Sequence, residues 1–185
     1  MPFTFSPLAG LAGPLVVDAR VFRDDRGWFL ETWKDSDFRA QGIGPFVQDN
    51  HSGNLTAGIL RGLHFQLPPQ AQGKLVRCIR GKVWDVAVDL RPGPQQFRHA
   101  ALELSGDGGR MLWVPPGFAH GYLSLEAGSE VTYKTTAEYA PALDRAIRWD
   151  DPALAIPWPT RSPTLAPKDA AAPLARDAGL PPRWD

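Results

Sequence analysis

The sequence of 185 residues contains a single cysteine, Cys78, which lies in an apolar stretch. One thiol cannot form an intramolecular disulfide, and this usage is typical of proteins from a reducing compartment. The first residues also contain no basic stretch followed by an apolar one, which is the pattern of a secretory leader. These absences together predict a cytoplasmic protein.

The sequence also lacks an excess of charge of either sign, since 20 basic residues balance 20 acidic ones. Such a chain has no long-range field that would attract a nucleic acid or an anionic membrane, so any anion must be bound by a local cluster. No apolar run approaches the roughly 20 residues that a membrane-spanning helix needs. We therefore predict a protein that binds a small ligand and has neither a nucleic-acid nor a membrane partner.

Helical patterns are scarce. Before residue 140 only DSDFRAQG, residues 35–42, combines a capping residue with a terminal glycine. Instead, 18 glycines and 19 prolines separate short runs rich in β-branched and aromatic residues, such as LVVDARVF, GWFLETW, GILRGLHF, KLVRCIRGKVWDVAVDL and EVTYKTT. Strands with turns at about ten-residue spacing predict an all-β sandwich, jelly roll or small barrel.

The chain length and the proline-rich C-terminal part indicate how the domain is organised. A chain of this size accommodates one sizeable core more readily than two, so residues 1–185 are predicted to form a single domain. From Pro141 the alternation fades into a proline-rich passage, which we expect to wrap the surface and not to pair in a sheet. The tryptophans of the strand patterns, including Trp28 and Trp113, are expected to fill a core or an interface.

Three of the four histidines, His51, His64 and His120, stand in polar clusters that interrupt the strands. A histidine-based metal site in a small barrel needs a His-x-His pair followed by a carboxylate. The segment LHFQLPP around His64 offers one histidine and no following acid. We therefore predict no metal site, while a structural role in the core or at the surface stays open for each histidine.

His64 is the histidine that could exchange a proton with a substrate. Such a residue needs a group that fixes its tautomer and a cation that stabilises the charge created by proton abstraction. Lys74 lies one predicted hairpin away and could supply the cation, and Asp169 could orient the imidazole if the C-terminal segment folds back. Tyr133 could return a proton to the other face of a carbon, although an ordinary strand aromatic is the alternative.

Arginines next to glycines form a second pattern. Arg26 and Arg61 each precede a glycine, so a phosphate could approach both the guanidinium fork and the backbone. Arg77 and Arg80 lie in a strand pattern and are better explained as exposed partners of carboxylates. The segment QDNHS, residues 48–52, offers amide groups that could bind a nucleobase edge, or it is a polar turn that satisfies its own backbone.

Taken together, these segments resemble the dTDP-4-dehydrorhamnose 3,5-epimerase family. The matching segments run in family order over about residues 20–170; they are DDRGWFLETW, FVQDNHSGN, GILRGLHFQLPPQAQGKLVRCIRGKVWDVAVDLR, WVPPGFAHGYLSL, YKTTAEYAP, IRWDDPALAIPWP and LAPKD. The resemblance implies an all-β, cupin-like jelly roll, or double-stranded β-helix, with a few short helices and an irregular C-terminal segment. It also implies a homodimer that acts on a dTDP-sugar without a metal or another cofactor.

The implied reaction inverts C3 and C5 of dTDP-4-dehydro-6-deoxy-D-glucose through enolate intermediates, and its product is dTDP-4-dehydro-L-rhamnose. The family pattern makes His64 the base, Asp169 its partner, Lys74 the cation beside the ketone and Tyr133 the acid on the opposite face. It further implies that nucleotide, diphosphate and sugar are bound by Arg26, Glu31, Gln48, Asn50, Arg61, Lys74, His120, Asp144 and Lys168.

Two positions depart from the family pattern or vary within it. Tyr122 stands where phenylalanine is usual, and Asp144 occupies a variable position. Two alternative functions stay open: an epimerase that inverts only C3 or only C5 of a nucleotide-linked 4-keto-6-deoxysugar, and a noncatalytic sugar-binding domain of the same fold. Tyr133 favours double inversion, and the complete acid–base set argues against a mere binding domain.

Overall fold

The structure is a computed structural model that describes residues 2–184. Within that range the strands are β1 (Phe3–Pro7), β2 (Leu15–Ala19), β3 (Phe22–Asp24), β4 (Gly27–Phe29), β5 (Gln48–Asn54), β6 (Leu60–Gln66), β7 (Lys74–Arg80), β8 (Lys82–Asp89), β9 (His99–Ser105), β10 (Arg110–Val114), β11 (Phe118–Ser124), β12 (Ser129–Thr135) and β13 (Asp144–Ala146). The helices are α1 (Asp35–Arg39), α2 (Pro167–Ala170) and a 3-10 turn at Ala175–Asp177. No helix in this range has the length and apolar character needed to cross a bilayer.

Two antiparallel sheets form the body of the molecule. One has six strands in the order β1-β2-β10-β7-β12-β5, and the other has five in the order β13-β6-β11-β8-β9. Most neighbouring strands are distant in sequence, which is the connectivity of a jelly roll and not of an up-and-down barrel. The predicted all-β, cupin-like jelly roll is confirmed.

The sheets bury apolar side chains between them and on both outer faces. Val76 of β7 and Ala87 of β8 belong to the core between the sheets. On the outside of the six-stranded sheet, Phe38 of α1 packs with the N-terminal strands. On the outside of the five-stranded sheet, the C-terminal segment buries Ile147 and Leu154. Each sheet therefore buries apolar side chains on both of its faces, and segments near the chain ends provide the outer layers.

Most of the predicted strands are present, and the differences have local causes. The predicted helix is α1, although its cap residue is Lys34 and not an Asp or Ser side chain. The segment QDNHSGN, which could have been a polar turn, forms β5; it is an edge strand paired only with β12, a position that tolerates polar residues. The C-terminal passage contributes β13, which pairs with β6, so the expectation that it would not pair is wrong there.

The hairpin of β3 and β4 forms a small sheet of its own. Its aromatic side chains face water, with Phe22 45%, Trp28 58% and Phe29 64% exposed. Trp28 therefore does not fill the core of this chain, whereas Trp113 is buried as expected. Three large exposed aromatic residues on one short hairpin are unusual for a surface that stays in water.

Gly62 allows β6 and β11 to approach each other closely. Its φ is +133°, and a Cβ at this position would lie 2.5 Å from the Cα of Gly121. A larger residue would be strained and would also force the strands apart. The glycine therefore brings the β6 residues that follow it, His64 among them, against the β11 residue His120, its direct partner in the ladder.

Candidate active site

A cavity of about 250 Å³ collects side chains from both sheets and from α2. Its lining residues are Ser52, Arg61, His64, Lys74, His120, Tyr122, Tyr133, Ala166, Lys168 and Asp169. They include all four residues for which the resemblance implies a catalytic role. A jelly roll can assemble such a set because inward-facing residues of distant strands share one interior.

His64 and Asp169 form a hydrogen-bonded pair in this cavity. His64 Nε2 donates to Asp169 Oδ1 at 2.6 Å, and the Gly62 amide donates to the other carboxylate oxygen at 3.3 Å. Burial opposes the charge of Asp169, but the hydrogen bond and charge of His64 and the Gly62 amide outweigh it, so the pKa of Asp169 is lowered. Asp169 therefore stays ionised and holds the Nε2–H tautomer, which leaves Nδ1 of the neutral ring free to accept a proton.

Lys74 is the first residue of β7, and its side chain is buried. Burial lowers its pKa to about 8, although the charges of Asp144 and Asp85 act in the opposite direction. Its Nζ donates to the backbone oxygen of His64 at 3.4 Å. This contact uses one of three ammonium hydrogens, so the cation beside His64 keeps donors for a substrate oxygen.

Tyr133 lines the cavity from β12 of the six-stranded sheet, whereas His64 lies on β6 of the five-stranded sheet. Burial, followed by the charge of Tyr122, raises the pKa of Tyr133, and Arg61 only partly offsets the increase. The phenol therefore stays protonated at neutral pH and can act as a proton donor. A base and an acid on different sheets suit a reaction that uses both faces of a carbon.

Tyr122, the departure from the family pattern, is accommodated by hydrogen bonds. Its hydroxyl lies 2.8 Å from Ser52 Oγ and 3.4 Å from Asn54 Nδ2. Asn54 is itself buried, and its Oδ1 accepts from Arg61 Nε at 3.1 Å. Arg61 also donates to the Gly53 backbone oxygen at 3.0 Å. This network satisfies the extra hydroxyl and fixes the arginine at the rim of the cavity.

His120 is held by a second carboxylate. Its Nε2 donates to Asp85 Oδ1 at 2.9 Å, and both side chains are buried. The imidazole of His120 lines the cavity, whereas Asp85 lies behind it on β8. The cavity therefore contains two histidines from paired strands, and each is oriented by its own aspartate.

Asp144 and Lys168 form an ion pair at the edge of the cavity. Tyr139 donates its hydroxyl hydrogen to the same Asp144 oxygen, at 3.1 Å, and the amide of Tyr139 donates to Gln48 Oε1 at 2.8 Å. These contacts join Gln48 on β5 to α2 through one exposed tyrosine. The structure thereby brings Gln48, Asp144 and Lys168 close to the cavity that His64 and Asp169 line.

The other predicted binding residues lie further away. Gln48 Nε2 donates to Asn50 Oδ1 at 2.9 Å, and Asn50 lines a neighbouring cavity of about 360 Å³ that shares Tyr133 with the first. Arg26 is exposed on the β3–β4 hairpin, where it pairs with Asp24, and Glu31 lies just after that hairpin. Neither Arg26 nor Glu31 lines the His64 cavity of the same chain.

Asp85 and Asn54, which hold cavity residues in place, were not predicted from the sequence. Asp85 belongs to the alternating run KVWDVAVD, in which a polar position is typical of a solvent-facing side chain, yet it is fully buried. Asn54 ends a polar segment and gave no separate signal. Among residues 2–184, no group of three or more histidine, cysteine or acidic side chains is arranged to hold a metal ion.

A cupin-like fold whose cavity contains a histidine–aspartate pair, a buried lysine and a protonated tyrosine defines an epimerase, an enzyme that moves protons at carbon. Residues 9–177 match the family described as dTDP-4-dehydrorhamnose 3,5-epimerase, and the chain belongs to this family.

The relatives agree in sequence and in structure. The chain is 48% identical to the dTDP-4-dehydrorhamnose 3,5-epimerase of Escherichia coli K12 over 159 residues, which are 84% of this chain and 85% of that protein. The Legionella pneumophila epimerase, solved with dTDP-4-keto-L-rhamnose, superposes with a TM-score of 0.92 at 39% identity and 99% coverage of both chains. A 3'-monoepimerase from Streptomyces bikiniensis, solved with dTDP-quinovose, has a TM-score of 0.84 at 29% identity and covers 91% of this chain and 87% of its own.

Proposed function

We propose that this epimerase inverts C3 and C5 of dTDP-4-dehydro-6-deoxy-D-glucose and forms dTDP-4-dehydro-L-rhamnose. The observation that carries the proposal is the single cavity that combines the His64–Asp169 pair, the Lys74 cation and the Tyr133 phenol. The family and the ligand of the Legionella relative support the substrate. The whole chain, residues 1–185, acts as one cytoplasmic domain in this proposal.

The chemistry needs only proton transfers. The C4 ketone acidifies the hydrogens at C3 and C5, so His64 can take one of them while the C–H electron pair moves to the ketone oxygen. Lys74 donates a hydrogen bond to the resulting enolate oxygen. Tyr133 gives a proton to the opposite face of the carbon, the ketone reforms and the centre is inverted. Exchange with water returns His64 and Tyr133 to their starting states, and the second carbon follows in the same way.

The binding residues follow from their charges and positions. Arg61 and Lys168 are cations at the cavity, which suit a diphosphate, and His120 lies against the sugar site. Gln48 and Asn50 offer amide groups for the nucleobase. The role of Asp144 is to hold Lys168, with which it pairs.

The test of the function is the reaction of dTDP-4-keto-6-deoxyglucose in deuterated water, followed by NMR and coupled to the reductase that uses the doubly inverted ketone. We expect deuterium at both C3 and C5 and a product that the reductase accepts. Deuterium at one carbon alone would select the second candidate, a mono-epimerase, which is the activity named for the structurally similar Streptomyces bikiniensis enzyme. No deuterium at either carbon would contradict both.

Replacing Tyr133 by phenylalanine should separate proton loss from inversion. His64 would still take the proton and could return a deuteron to the same face, so exchange should continue while inverted product forms about a hundredfold more slowly. The measurement is the NMR assay above. Tyr122→Phe is the matched control, because its hydroxyl is bound to Ser52 and has no proposed proton to deliver. Unchanged double inversion in Tyr133→Phe would remove this residue from the mechanism.

We also propose that the protein is a homodimer in which the β3–β4 hairpin of each chain covers the cavity of its partner. The exposed Trp28 and Phe29 need a covering surface, and a second copy can supply it. The same arrangement would explain why Arg26 and Glu31, expected to bind substrate, lie outside the cavity of their own chain. Arg26 and Glu31 of each chain would then lie at the cavity of the partner chain.

A mixed dimer tests this arrangement. We expect Arg26→Ala and His64→Ala each to be impaired, but a purified heterodimer of the two should recover about half of the parental kcat/KM, because one of its two cavities receives an intact set. Activity is measured at substrate concentrations well below KM, and homodimers of each variant are the controls. If the hairpin instead contributes Arg26 to the cavity of its own chain, both cavities of the heterodimer contain one defect and no activity returns.

A further inference from the structure

The carboxylate of Asp85 lies behind the cavity wall and is only partly satisfied by hydrogen bonds. Asp85 lies in the middle of β8 and is fully buried. Its Oδ1 accepts from His120, but its Oδ2 is buried and has no hydrogen-bond partner among residues 2–184. Burying a carboxylate oxygen without a partner is costly, so its retention calls for a reason beyond packing.

Asp89, four residues further along the same strand, provides the comparison. It is buried to the same degree, but Arg91 donates to both of its oxygens, at 2.9 Å and 2.7 Å. Asp89 is thus neutralised by an adjacent arginine and has no contact with the cavity. Within the described part of the chain no arginine pairs with Asp85, and its side chain has one hydrogen bond, to a histidine of the cavity wall.

We infer that Asp85 is a positioning residue for the reaction: its carboxylate holds the His120 imidazole against the substrate and supplies the negative charge that the cavity needs behind its cations. This inference rests on the function proposed above. Asp85 does not line the cavity and so does not touch the substrate. It acts through His120, and through its electrostatic effect on Lys74.

The contact with His120 determines which ring nitrogen faces the ligand. Because Nε2–H is donated to Asp85, Nδ1 is the nitrogen left to accept a hydrogen bond from a substrate hydroxyl. His120 is the direct ladder partner of His64, so the oriented imidazole lies beside the proposed base. A ring that rotated freely would have to be ordered each time substrate binds, and fixing it in advance avoids that cost.

The charge of Asp85 also acts on Lys74. Burial lowers the Lys74 pKa most strongly and Lys168 lowers it further, while Asp144 and Asp85 raise it, with the result near 8. The other titratable groups of the cavity wall are Arg61, His64, His120, Tyr122, Tyr133 and Asp169. If Asp85 lost its charge, Lys74 would lose its proton at a lower pH, and its charge-assisted hydrogen bond to the enolate would become a weaker neutral one.

Asp85→Asn tests the inference because asparagine has the same shape and its amide oxygen can still accept from His120. We expect kcat to fall at least about tenfold, less than the loss of a whole oxyanion donor, with KM changed by less than about threefold. The alkaline limb of the pH–rate profile, where kcat falls as the pH rises, should move to lower pH. Asp89→Asn is the matched control; it should lower the thermal stability but keep the parental kcat and alkaline limb.

An NMR measurement on the unaltered protein keeps the inference testable if Asp85→Asn does not fold. The imidazole nitrogen spectrum, assigned with His120→Gln, should show His120 protonated at Nε2 with a slowly exchanging hydrogen. A His120 ring protonated only at Nδ1 would overturn the inference, and so would an Asp85→Asn enzyme with parental kcat and alkaline limb. Failure of the proposed function is a different result, because the parental protein itself would then not epimerise.

Discussion

Replacing His64 by alanine should abolish deuterium uptake at both C3 and C5 of the substrate. His64 has a nitrogen lone pair at the cavity while Asp169 holds its other nitrogen, and in the variant Asp169 would have no imidazole to orient. Acid–base catalysis by a positioned group contributes about a hundredfold to ten-thousandfold, and both epimerisations would lose it. The measurement is NMR of the sugar in deuterated water, with exchange at C3 and C5 followed separately.

His99→Ala is the control for this experiment. His99 begins β9, where it pairs with Val88, and it does not line the cavity. We expect the His99→Ala variant to exchange deuterium at C3 and C5 at the parental rates. Persistent exchange at either carbon in His64→Ala would mean that another group is the base at that carbon, and retained exchange at both would disprove the assignment.

Replacing Lys74 by methionine should lower kcat about a hundredfold to a thousandfold. Methionine keeps most of the length of the side chain and removes the cation, so the enolate oxygen loses a hydrogen-bond donor; such a donor is commonly worth about 3 to 4 kcal/mol. Because the functional form of Lys74 is the ammonium and its pKa is about 8, parental activity should fall as the pH rises through that value. The Lys74→Met variant should lack this decrease in activity at alkaline pH.

The stability of the variant separates lost chemistry from lost folding. The lowered pKa shows that burial disfavours the Lys74 ammonium, so an apolar side chain of similar length should not reduce the midpoint of thermal unfolding. Lys82→Met, which removes a partly exposed lysine paired with Glu126, is the control and should keep the parental kcat. A Lys74→Met enzyme with parental kcat and an unchanged alkaline limb would contradict the role of the cation.

Much of the fold was predictable because the signals are local. Alternation and the glycine and proline breaks predicted β6 to β12, and the short helix at residues 35–42 was placed correctly. The local rules failed where a partner determines the outcome. The polar segment QDNHSGN becomes β5 only because β12 offers an edge, and β13 forms only because β6 is nearby.

The site was predictable to the extent that a resemblance could identify its residue types. His64, Lys74, Tyr133 and Asp169 are brought together as implied, but Asp169 is 105 positions from His64, and only the return of α2 creates their contact. Arg26 and Glu31 were expected to bind the same ligand and lie elsewhere in this chain. Asp85 gave no signal, since its place in an alternating strand indicated an exposed side chain.

The sequence by itself determined the strand pattern, the all-β class and the kinds of side chain available for acid–base chemistry, because these depend on short-range periodicity and on residue identity. Only the tertiary structure decided which of these side chains are buried and which charged groups lie next to them. The six-stranded sheet packs over the inner face of the five-stranded sheet, where Val83 and Ala87 belong to the core, so Asp85, which lies between them on the same face of β8, is buried. Burial lowers the pKa of Lys74, and the same packing places Asp85 behind His120. Both effects arise from contacts between segments that are remote in sequence.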